Sequence, residues 1–158
     1  MGMEFYGDSY KGNDEPIFVG IPTFLKLPWM RNFEEIKKVK PDMAIVGEPF
    51  DFGTTIRPGA RYGPRAIRAA STVPSPPYEH FNIETGVDPF GVFKTVDYGD
   101  VVVSPGDVIE SHRRMTNKVK EVLDIDAIPI ILGGDHSITF ANVRALAKKY
   151  KNIGMIHI

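Results

Sequence analysis

Along the chain, short apolar runs alternate with stretches whose apolar residues recur at helical spacing, and that alternation predicts the elements. Residues 43–47 form an unbroken run around Ile45 and Val46, the pattern of a strand buried on both faces. Residues 63–70 read as the start of a helix, with Pro64 in the first turn, where its missing N–H has no partner to lose. Residues 72–91 carry Pro74, Pro76, Pro77 and Pro89 and read as a long loop. A second strand is expected at 95–103, with a turn inside it or at its end. Over 107–124, Val108, Met115, Val119 and Val122 fall on one helical stripe, while Arg113, Arg114, Lys118 and Lys120 lie off it. His112 sits on the same stripe and reads as an ordinary helix-face histidine. Residues 128–132 give a third strand, with Pro129 near its start. Residues 137–150 give a helix whose apolar positions are Phe140, Val143, Ala147 and Tyr150, and 153–158 give a fourth strand.

Short connections between buried strands and amphipathic helices predict an α/β domain with a parallel sheet and right-handed crossovers. Ile45, Ile131 and Ile156 are expected to be buried in neighbouring parallel strands. Residues 16–29 break this pattern, being apolar but interrupted by Pro16, Pro22 and Pro28, which excludes a helix interior or a central strand. The expectation is an N-terminal arm over residues 1–40 at a subunit interface, followed by the domain proper over 41–158.

Composition narrows the function classes. At 158 residues, 42% hydrophobic and 25% charged, the chain has the make-up of an ordinary soluble globular domain. Its 19 basic and 20 acidic residues leave a net charge of -1, which gives no electrostatic reason to expect nucleic acid or an anionic membrane as partner. No apolar run approaches the roughly 20 residues of a spanning helix. Residues 1–10 lack the layout of a signal peptide, and Tyr6 stands where a myristoylation signal wants Ser or Thr. With no cysteine there are no disulfides or thiolate metal sites, and a cytoplasmic setting is expected.

In open α/β sheets, ligands collect beyond the carboxyl ends of the strands. Gly133-Gly134-Asp135-His136-Ser137 occupies such a place, between the third strand and the next helix. The glycines permit a sharp turn; Ser137 or Asp135 is suited to cap the helix. His136 at the rim is suited to bind a metal, with Asp135 orienting it. A turn that merely caps a helix explains the same residues equally well. The loop after the first strand, residues 47–68, is dense in glycine and arginine. Its arginines read first as partners of structural carboxylates.

Together the two segments resemble the ureohydrolase family of arginases and agmatinases. Its members carry P-x-D-x-G-T…R-x-G-x-R-x-G-P-x-A-I-R and then G-G-D-H-S, which match residues 49–68 and 133–137 here. Residues 20–28 also look like an agmatinase segment. Glu48 departs from the pattern, since a small apolar residue is usual there.

The resemblance implies a three-layer α/β/α arginase-like fold with a mainly parallel sheet, of which residues 41–158 would be the first half. It implies two Mn²⁺ ions bridged by a hydroxide that attacks the guanidinium carbon of a small substrate, releasing urea and an amine. Agmatine, giving putrescine, is the first choice of substrate, and a guanidino acid such as guanidinobutyrate is the rival. His136 matches a metal ligand, and it alone is carried over as a site residue. Three further ligands of the family come from Asp-x-His-x-Asp after the next strand, and His157 precedes that motif rather than belonging to it. The 158 residues alone are therefore expected to hold metal poorly and to be inactive, and a non-catalytic truncated subunit is an alternative. Trimers or hexamers are expected from the same resemblance.

Overall fold

The computed structural model describes residues 19–72 and 81–158. Residues 1–18 of the expected arm and the prolines at 74, 76 and 77 lie outside the described residues. Three parallel strands, β1 (Met43–Glu48), β2 (Thr95–Asp100) and β3 (Ile128–Gly133), form a sheet in the order β2-β1-β3. Among the described residues five α-helices accompany them: α1 (Phe33–Val39), α2 (Gly63–Ser71), the one-turn α3 (Pro89–Val92), α4 (Val108–Asp124) and α5 (Ile138–Lys149). β1 is central, and its apolar run is covered on both faces: Ala44, Ile45 and Val46 are all buried. It pairs in register with β3 from Met43↔Ile128 to Glu48↔Gly133. Its pairing with β2 slips between Ile45 and Gly47, so that Gly47 stands opposite Asp100.

Alternation along β1 sends Ala44, Val46 and Glu48 toward α4 and α5. On the opposite side Gly47 faces Arg68 of α2, so helices cover both faces. The main core joins Ala44, Val46, Phe50, Val96 and Tyr98 to Met115 and Val122 of α4 and Ile138 and Ala141 of α5. Helix α4 follows its predicted stripe except at Val108, which is exposed in the first turn. Its N-terminus is capped by Asp107, whose side chain accepts from the Glu110 amide.

Two expectations, the inward face of α5 and the fourth strand, are corrected. Helix α5 turns Ile138, Ala141 and Ala145 inward, while Phe140, Ala147 and Tyr150 are exposed. The small alanines let α5 lie close against α4, which a face of larger side chains would not. The expected fourth strand at 153–158 does not pair; Ile156 is 90% exposed, whereas Ile45 is buried and Ile131 half-buried. β3 is thus an edge of the described sheet. Part of the arm folds back on its own domain: Trp29 bridges to Asp97, with Met30 N–H donating to Asp97 O at 2.8 Å and Asp97 N–H to Pro28 O at 2.9 Å. Thr23, Leu27 and Met30 are buried there, because the free edge of β2 offers unpaired backbone groups that an extended, proline-rich segment satisfies without forming a regular strand.

Candidate functional site

Both motif segments meet at the carboxyl end of the sheet. The turn after β3 is held against the loop after β1 by one carboxylate. Asp135 Oδ2 accepts the Gly53 amide at 2.6 Å, while its Oδ1 accepts the Ser137 amide at 2.9 Å and the Ser137 hydroxyl. The Asp135 amide in turn donates to Phe50 O at 2.8 Å. Asp135 therefore locks the two loops together just ahead of α5, and among the described residues it makes no side-chain hydrogen bond to His136. Ser137 gives its hydroxyl to that clamp and makes no cap bond of its own.

The approach of the loops is close enough to require glycine. Gly134 has φ +77, and a Cβ there would stand 2.5 Å from Glu48 O. A Cβ on Gly63, the first residue of α2, would stand 2.3 Å from Gly133 O. The motif's glycines are thus the contact points between its two halves.

Two of the loop's arginines, Arg61 and Arg68, act as structural partners. Arg61 closes the loop onto Asp51, donating from Nε to Oδ1 at 2.7 Å, and the Gly59 amide reaches Asp51 Oδ2 at 2.7 Å. The Arg61 guanidinium and these amides hold the Asp51 carboxyl down at about 2. Arg68 is buried and spans two carboxylates of β2: Nε and Nη2 donate to Asp97 at 2.7 and 2.9 Å, and Nη1 donates to Asp100. Asp97 also accepts the Phe24 amide at 2.8 Å, which ties the arm to the same centre. Arg57 and Arg65 are exposed.

His136 projects from the turn into solvent, and its ring centroid lies 5.0 Å from that of His157. Among the described residues no group of three His, Cys, Asp or Glu side chains is placed to hold a metal ion. The described residues therefore offer one imidazole at the rim, with a second nearby, which is fewer donors than a two-metal centre needs. His112 is half-buried between Phe50 and Phe140, at ring distances of 5.2 and 6.0 Å, as a helix-face histidine should be.

Sequence reasoning missed one pair. Glu48 ends β1 fully buried, and its Oε2 accepts from Asn142 Nδ2 of α5 at 3.0 Å. The signal was present: a carboxylate in an apolar run, and an amide beside the inward stripe of α5. Burial pushes the Glu48 carboxyl up to about 7, against the weaker opposing effect of Asn142.

Comparison with known proteins agrees with this geometry. Residues 41–158 match the model of the arginase family. The guanidinobutyrase of Pseudomonas aeruginosa is 37% identical over 147 residues, which span 93% of this chain and 44% of that protein. The mitochondrial agmatinase of Gallus gallus is 37% identical over 89% of this chain and 38% of its own length. The structure of proclavaminate amidino hydrolase from Streptomyces clavuligerus superposes with a TM-score of 0.74 at 33% identity, covering 86% of this chain and 42% of that one. The chain thus spans less than half the length of these relatives, and its three-stranded parallel sheet with helices on both faces is part of an arginase-like α/β fold. The family model, the identities and the interlocked loops lead to one conclusion: this chain belongs to the arginase family.

Proposed function

We propose that this chain is part of an enzyme that hydrolyses a small guanidino compound to urea and an amine. Agmatine, yielding putrescine, is the first candidate substrate, and guanidinobutyrate the second. Overall, a water oxygen joins the guanidinium carbon, one C–N bond breaks, and the departing nitrogen takes up a proton. The carrying observation is the Asp135 clamp, which draws the G-G-D-H-S turn and the P-x-D-x-G-T loop together and leaves His136 facing outward at the strand ends.

Two manganese ions are the cofactor in this reading, since an imidazole suits such an ion once hard oxygen donors complete the shell. The described residues do not by themselves make that centre, and their part is to fix the backbone on either side of His136. The exposed Trp29, Ile56 and Tyr62 suit burial between subunits, as a trimer or hexamer would provide. Light scattering reads the assembly directly. No helix among the described residues is long and apolar enough to cross a membrane. A cytoplasmic setting accords with the absence of cysteine.

The test is urea release from agmatine and from guanidinobutyrate with added Mn²⁺, using the product of the natural reading frame. His136→Ala should abolish most of the release and leave the unfolding midpoint unchanged, because the exposed ring carries no core packing. Unimpaired release by that variant would sink the proposal. The isolated 158 residues should release no urea under the same conditions.

A further inference from the structure

Glu48 is 0% exposed, at the end of the central strand, on the face packed by α4 and α5. Its hydrogen-bond partner there is the Asn142 carboxamide, which uses its Nδ2. Two buried oxygens have no partner among the described residues, Glu48 Oε1 and Asn142 Oδ1. Each carries only lone pairs while Glu48 is ionised, so neither can satisfy the other, and a buried acceptor left bare is costly. A single proton on Oε1 changes that.

We propose that Glu48 is held as the neutral acid and forms a cyclic pair with Asn142, in which Oε1–H donates to Oδ1 while Nδ2 donates to Oε2. The proton comes from solvent, and no other bond changes. The pair satisfies both orphaned oxygens and fastens α5 to the end of β1. Because α5 begins directly after the G-G-D-H-S turn, Glu48 is a positioning residue for the backbone that presents His136.

Surrounding charges do not compete for it. Arg68 of α2 is taken by Asp97 and Asp100 of β2, and Asp51 by Arg61. Asp135 is taken by backbone amides and the Ser137 hydroxyl. Arg144 of α5 binds the Thr116 hydroxyl and the His112 carbonyl. His112 of α4 has a buried Nε2 without a partner among the described residues and packs, tilted, between two phenylalanine rings. Among the described residues, burial and Asn142 act on the Glu48 carboxyl, and burial prevails, raising it to about 7.

The test compares wild type with Glu48→Gln in urea unfolding from pH 4.5 to 8, on the product of the natural reading frame. Glutamine offers one acceptor and one N–H in the same places, so it reproduces the cyclic pair at every pH. In wild type the folded state keeps a proton that the unfolded state has released. The sign follows: the wild-type unfolding constant should rise relative to the variant from near pH 4.5 to about 7, by roughly 300-fold in all, and level off above. The difference between the two proteins cancels His112, His136 and His157, which both contain. A flat difference overturns the proposal. Should Glu48→Gln fail to fold, the wild-type Glu48 side chain, assigned by NMR through contact with the Asn142 amide protons, serves instead. Titration well above the ordinary carboxylate range supports the pair, and titration within that range overturns it.

Discussion

Removing the guanidinium of Arg68 should be among the most damaging single changes in this domain. Arg68→Ala leaves Asp97, 1% exposed, without its counter-charge, and leaves α2 without its tie to β2. Breaking a buried pair by deleting one partner costs about 3 to 5 kcal/mol, because the surviving charge stays desolvated. Asp97 keeps the Phe24 and Gly99 amides, at 2.8 and 2.9 Å, which partly satisfy it and place the loss near the lower end, about 3 kcal/mol. With a urea slope of about 2 kcal/mol/M, the unfolding midpoint should fall by about 1.5 M. Arg68→Lys should recover roughly half, since an ammonium cannot span both carboxylates in the planar fork the guanidinium uses. A double-mutant cycle with Asp97→Asn should return a coupling above about 1 kcal/mol. The reasoning is refuted if Arg68→Ala moves the midpoint by less than about 0.3 M, or if Arg68→Lys equals wild type.

The close approach of the two motif loops makes Gly63→Ala a second target; its Cβ would sit 2.3 Å from Gly133 O, and a loss of about 2 kcal/mol in thermal unfolding is expected. Asp51, held at about 2 from an ordinary 3.8, adds stability that is present above pH 4 and lost as the pH falls through 2. Asp51→Asn should flatten that acid limb, and an unchanged limb would count against the Arg61 pairing. Asn142→Leu should cost about 1 to 3 kcal/mol by stranding the Glu48 carboxyl, and Glu48→Leu in the same chain should return much of it, as calorimetry can read. Asp135→Ala should lower Mn²⁺-supported urea release about 100-fold, because loss of the loop clamp misplaces the turn that carries His136. Release that matches wild type would separate the clamp from activity.

The sequence by itself determined which segments could be strands and which helices, because burial on two faces demands unbroken apolar runs such as 43–47, and an amphipathic helix demands a stripe such as Met115, Val119 and Val122. It also determined the family, since two long motifs in order are carried by residue identity and not by geometry. What sits where between elements lay beyond it. That Asp135 serves as a clamp and not as a partner of His136, that Arg68 reaches across to Asp97 and Asp100, and that Glu48 meets Asn142 all depend on contacts between residues far apart in the chain. The inward face of α5 was decided by packing as well, because Ala141 and Ala145 fit against α4 where the larger Phe140 and Tyr150 do not. The apolar run at 153–158 teaches the same lesson: an apolar run states only that a strand is affordable, while pairing and a covering layer decide whether one forms, and Ile156 has neither among the described residues.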